Sequence, residues 1–207
     1  MTVKELLDKF GLECVDSVKW GDSVGINDEG VYIISTSMKP DENLGITPKP
    51  KFDEKALENW IDKCPSLTID GDRATIENLK EKLEKFWLPK ENILYIGKTT
   101  SLAKRIRQFY RHALGDTKPH AGGHWLKTLA NINDLYVYFI STNDNTSEWK
   151  ESNLLEYFST EVGEIPFANL EIKRYYTKDG EINSEKKNIV NSMDWEIKPS
   201  NKVRKHK

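Results

Sequence analysis

Two charged residues sit where charge is least expected. Glu151 precedes Leu154, Leu155 and Phe158 by three, four and seven residues. In a helix predicted over 146–158, that spacing lays its carboxylate along the middle of an apolar face. An ionised carboxylate there is costly unless a cation meets it. Glu151 is therefore either half of a buried salt bridge, with Arg105 as its partner, or a metal ligand. Arg105 itself stands at the margin of a second apolar face, built from Leu102, Ile106, Phe109, Tyr110 and Ala113. From that margin a guanidinium either snorkels to water or turns its planar fork into a cleft, where it suits phosphate.

Charge is also segregated along the chain. Residues 98–127 carry seven Lys/Arg against the single Asp116, together with three of the four histidines. Residues 128–172 reverse this, with Lys150 the only cation among eight carboxylates. A basic segment is the footprint of a phosphate polymer, and an acidic one folded against it can hold a divalent cation. Both are otherwise ordinary solvated faces. Lys98, Lys104, Arg107, Arg111, Lys118, His120 and Lys127 are the candidate nucleic-acid contacts. The net charge of −2 argues against a passive coat protein.

These side chains need a scaffold. A β-branched and aromatic strand is predicted over 30–35, and a second over 93–96 that turns at Gly97 into the Arg105 helix, with Thr100 or Ser101 as its N-cap. A third is predicted over 135–140. Further helices are expected over 2–10, over 53–63, from Asp72 to just before Pro89, and from His124 onward. The stretch SVKWGD and a loop over GINDEG lead into the first strand, and residues 162–170 close the compact part. From Lys173 a basic extension follows, with an edge hairpin at Asp179-Gly180. The 207 residues suit one domain with decorations. Cys14 and Cys64 have no metal-ligand spacing and read as small hydrophobes in a reducing compartment. No apolar leader or spanning segment is expected, so the cytoplasm is the default location and no membrane is a partner.

Gly30-Val31-Tyr32, then Tyr95-Ile96-Gly97-Lys98, then Arg105 ten residues beyond Tyr95, resembles the GIY-YIG nuclease superfamily. Glu151 with Leu154-Leu155, followed by Pro166-Phe167-Ala168-Asn169, resembles its distal signature. The likeness covers 28–36 and 92–170, about half the chain. The segment from Pro119 to Leu129 resembles a bacterial branch of the family. The resemblance implies an α+β domain over 1–172, with a small three-stranded antiparallel sheet flanked by helices. Residues 37–92 are then a helical insertion between the first two strands, and 173–207 a basic C-terminal extension.

The same resemblance implies a metal-dependent endonuclease hydrolysing nucleic-acid phosphodiesters, double-stranded DNA in the first instance, with one Mg²⁺ or Mn²⁺. The alternative is a non-catalytic nucleic-acid-binding module that keeps the fold. Tyr32 and Tyr95 correspond to the paired tyrosines, Arg105 to the arginine, Glu151 to the metal ligand and Asn169 to the late asparagine. Lys98 matches a lysine of the excision-repair branch, and Tyr32 is implied to orient or deprotonate the attacking water.

Two departures stand out. Phe109 lies where many members place a His or Tyr, leaving Tyr110, His112 or His120 as substitutes. His112 shares a helical edge with Arg105 and is favoured. The second is the insertion itself, with ten Lys/Arg against twelve Asp/Glu. It is a specificity element, a dimer surface for a homodimer, or a lid. Its Trp60 and Trp87 stripes predict that it is folded and docked, and its excision is expected to leave a foldable core.

Overall fold

In the computed structural model, which describes residues 1–116, 123–142 and 146–169, three strongly apolar strands pair in one antiparallel sheet. They are β2 (Gly30–Ser35), β5 (Ile93–Thr99) and β6 (Tyr136–Ser141), with β2 between the other two. A fourth strand, β1 (Asp16–Lys19), extends the sheet beyond β6, giving the order β1-β6-β2-β5. The three-stranded expectation is thus corrected to four. The sequence hid β1 because it is an edge strand whose ends are exposed and whose one apolar residue, Val18, is half-buried. No period-2 alternation marks it.

Five α-helices lie among the described residues: α1 (Val3–Asp8), α2 (Glu54–Lys63), α3 (Ile76–Glu84), α4 (Leu102–Arg111) and α5 (Ser147–Val162). The helix expected from Asp72 starts later, because Thr75 rather than Asp72 forms the capping box, with Asn78. Asp72 instead belongs to a small hairpin of β3 (Thr68–Ile69) and β4 (Asp72–Arg73). Asp70 and Gly71 turn it with φ of 52° and 92°, as a two-residue Asp-Gly hairpin turn requires. The helix expected from His124 is a short 3₁₀ turn, His124–Thr128.

Each face of the sheet has its own core. Val31, Ile33, Ile93, Ile96, Tyr138 and Ile140 pack under α1 and α5. Tyr32, Ile34, Leu94, Tyr95, Val137 and Phe139 pack on the other face against α4 and the inserted segment. Leu57 and Trp60 of α2 and Leu79 and Leu83 of α3 lie in this second core, each at most 2% exposed. The insertion is therefore folded and docked. Because it covers the sheet face, it completes the core, which reverses the expectation for its excision.

β5 is an edge strand, yet its outward backbone groups are not left bare. Ala168 N–H donates to Leu94 O (2.8 Å). The Asn169 amide takes both outward groups of Ile96, accepting from its N–H (2.9 Å) and donating to its carbonyl (2.7 Å). The Lys98 N–H donates to Glu151 Oε1 (3.1 Å). The edge is thus closed by a clip after α5 and by one carboxylate of α5.

Candidate active site

Tyr32 faces Gly97 across the β2–β5 ladder, and both signature glycines are explained by close approach. A Cβ on Gly97 would lie 2.6 Å from Tyr95 Cε1 and 2.9 Å from the Tyr32 hydroxyl. A Cβ on Gly30 would fall on the Ile140 carbonyl oxygen. Absence of a side chain at 97 lets the tyrosine rings lean together, with centroids 5.8 Å apart.

α4 begins immediately beyond this point. The first N–H groups of its opening turn, on Leu102 and Ala103, are taken by the carbonyls of Asp28 and Ile26 (3.0 and 2.9 Å). Ser101 occupies the N-cap position without a side-chain cap, so the loop before β2 does the capping. This fixes α4 against β2 and brings Arg105 to the tyrosines.

Four side chains from four elements meet here. Burial pushes the Tyr32 hydroxyl up to about 12; the Arg105 charge, with Tyr95, opposes the rise, and Glu151 adds to it. Burial likewise holds Tyr95 well above its usual value, reinforced by Tyr32 and Glu151 and opposed by Arg105. Both phenols therefore keep their protons at neutral pH. The Tyr32 hydroxyl is sealed from water and has no partner of full hydrogen-bond geometry, although Tyr95 and Arg105 lie beside it. Tyr95 is 7% exposed and lies nearer the surface.

Lys98 joins from β5, where its ammonium pairs with Glu148 of α5 while its N–H holds Glu151. Asn169 adjoins the group through Ile96, so it braces the strand between Tyr95 and Gly97.

Among the described residues, His112 has surroundings of its own. It is buried at the end of α4 and stacks on His124, ring centroids 4.4 Å apart. Burial lowers its pKa, as does His124. Tyr110 packs on Trp20, 4.9 Å between centroids. Phe109 is fully buried and forms the apolar wall behind both tyrosines, 6.4 Å from Tyr32 and 5.7 Å from Tyr95. His120 and Lys118 lie outside the described residues, as does the 173–207 extension.

Of the basic residues, Lys104, Arg107 and Arg111 are exposed at spacings of three and four, on one face of α4. Lys127 is turned inward instead. Its ammonium donates to Tyr110 O (2.9 Å) and lies over the Trp20 ring at 4.8 Å. Burial lowers its pKa to about 8. No sequence signal marked it, and in the fold Trp125, Leu126, Thr128 and Leu129 around it are all buried.

Among the described residues no three His, Cys, Asp or Glu side chains cluster as a metal cage. Glu151 brings one carboxylate to this point, with Glu148 one turn before it on α5 held by Lys98. That suits Mg²⁺ or Mn²⁺, hard ions that accept one carboxylate and retain waters, and does not suit a closed structural zinc site. No family model, curated protein or solved structure matches the chain. Among the described residues no helix is long and apolar enough to cross a membrane.

Proposed function

We propose that the chain is a GIY-YIG-type, metal-dependent endonuclease acting on DNA. The reading is supported above all by the convergence of Tyr32, Tyr95, Arg105 and Glu151, from β2, β5, α4 and α5, on one point at the edge of the sheet. Such a group has the parts that phosphodiester hydrolysis needs. A water oxygen bonds to phosphorus as the bond to the leaving oxygen breaks. The attacking water gives its proton to bulk water, the leaving oxygen takes one up from it, and negative charge grows on the phosphoryl oxygens.

Arg105 is the fork that meets this charge. Tyr95, nearest the surface, donates to the phosphate or to the water, and Tyr32 backs it. In the substrate-free site neither phenol is a base, since burial raises both, so their role is to orient rather than to deprotonate. Glu151 would hold Mg²⁺ or Mn²⁺, which when bound supplies charge neutralisation at the scissile phosphate and the leaving oxygen. Phe109 keeps this group against a dry wall. Lys104, Arg107 and Arg111 supply a basic face for the backbone of the polymer.

One observation favours the binding-only alternative: Phe109 puts a hydrocarbon where a polar group would assist. Supercoiled plasmid incubated with Mg²⁺, with and without chelator, decides between them. Metal-dependent nicking is expected. Binding with no nicking in either metal would leave the non-catalytic module.

A further inference from the structure

The 3₁₀ turn His124–Thr128 is seated on the end of α4 by side chains that can carry charge. His112, at the end of α4, is 4% exposed, and its ring stacks on His124 with 4.4 Å between centroids and 23° between planes. Three residues further along the turn, the Lys127 ammonium donates to Tyr110 O (2.9 Å) and lies 4.8 Å from the Trp20 ring and 5.7 Å from that of Phe109. Gly123 opens the turn with φ of 69°, and a Cβ there would lie 2.5 Å from Phe109 Cζ. Two imidazoles and an ammonium are thereby gathered in one contact. The same contact backs Phe109, the wall behind Tyr32 and Tyr95.

The charges around His112 favour its neutral form. It faces His124 and Lys127 from the 3₁₀ turn and Asp116 from the loop after α4, while Arg111, beside it in the chain, is exposed. The Asp116 carboxylate is engaged with other groups, accepting from Ala113 N–H (3.3 Å) and lying 3.7 Å from Lys63 Nζ of α2. A proton on His112 therefore adds a charge near an ammonium, where water barely reaches it. Burial holds its pKa below the ordinary 6.5; His124 and Lys127 add to this, and Asp116 opposes it.

We infer that the contact between His112 and the 3₁₀ turn is a proton-operated latch, closed while the stacked rings are neutral and released, with the support behind Phe109, when His112 takes up a proton at mildly acidic pH. Below about 6.5 the released form, in which His112 meets water, binds the proton better than the seated one. The balance therefore moves toward release as pH falls, by up to about tenfold per pH unit for one proton of difference. Lys127, at about 8, keeps its charge throughout this range. The latch stands without the nuclease reading, and only its bearing on cleavage rests on it.

The test follows backbone hydrogen exchange across 123–130 of the intact chain between pH about 7.5 and 5.5, corrected for the intrinsic pH dependence of exchange. The amides of β2 serve as the reference, and the His112 ring is titrated by NMR on the same protein. The expected result is a His112 midpoint below 6.5, with local opening of 123–130 rising about fivefold or more relative to β2 as the proton binds. His112→Phe keeps a ring for His124 to stack on and cannot be protonated, and His112→Gln is a smaller neutral replacement. Thermal unfolding establishes which of them folds, and in a folded variant the acid-dependent opening should disappear.

A midpoint at or above 6.5, no added opening in the wild-type chain, or the same opening in a folded variant overturns the latch. Exchange needs no cleavage, so the two readings fail separately. A chain that opens at acid pH but never nicks plasmid loses the nuclease reading alone, and one that nicks but stays closed loses the latch alone.

Discussion

At Gly97 the missing side chain is itself the functional feature, because the ends of two tyrosine rings occupy the space a methyl would need. Gly97→Ala is therefore expected to destabilise the fold by about 1–3 kcal/mol, as overpacking does, and to splay Tyr32 from Tyr95. Urea unfolding measures it, and a variant as stable as wild type would show that the rings move apart freely. Arg105→Lys keeps the charge but loses the planar fork, so nicking should fall by about 10²–10³. A lysine variant within about threefold of wild type would make Arg105 structural. Glu151 and Arg105 were legible in the sequence because charge on or beside an apolar stripe is a conflict that helical spacing exposes. Lys127 was not legible. A lysine in a basic run looks solvated, and only the fold reveals that its ammonium lies over Trp20.

The edge of β5 has the most consequence for the site among the elements. Asn169 supplies two hydrogen bonds to Ile96, in a region where backbone groups are otherwise shut off from water. Asn169→Ala should cost about 1–3 kcal/mol, the range for leaving a buried partner unsatisfied, and should reduce nicking through displacement of Tyr95. Unchanged stability would mean that water replaces the amide. Lys127 ties the 3₁₀ turn to the end of α4, and its titration is a handle on that contact. Its pKa falls from 10.5 to about 8, so between those values the unfolded chain binds more protons and stability rises with pH. The melting temperature of wild type should therefore gain more than that of Lys127→Met between pH about 8 and 10. Parallel profiles would mean that Lys127 is solvated in the folded state. Strands β2, β5 and β6 could be read from composition because they are buried on both faces and rich in β-branched and aromatic residues. β1 could not, since its partner β6 rather than its own pattern makes it a strand.

The described residues are organised about a four-stranded sheet with a core on each face, and the inserted residues belong to the second of these cores. Amphipathic stripes in α2 and α3 showed that the insertion must dock, but a stripe does not name the surface it covers. Leu57, Trp60, Leu79 and Leu83 cover the face that carries Tyr32 and Tyr95, so deletion of 40–88 should give a chain without a cooperative unfolding transition. A soluble, cooperatively melting truncation would return the insertion to the role of an appendage. The central claim is that the four converging side chains form a cleavage site organised about the Glu151 carboxylate. Its most direct test compares wild type with Glu151→Gln for Mg²⁺-dependent nicking of supercoiled plasmid, with DNA affinity measured on the same preparations. The account predicts that nicking is abolished while affinity stays within about threefold of wild type. A glutamine variant that nicks at the wild-type rate would contradict it.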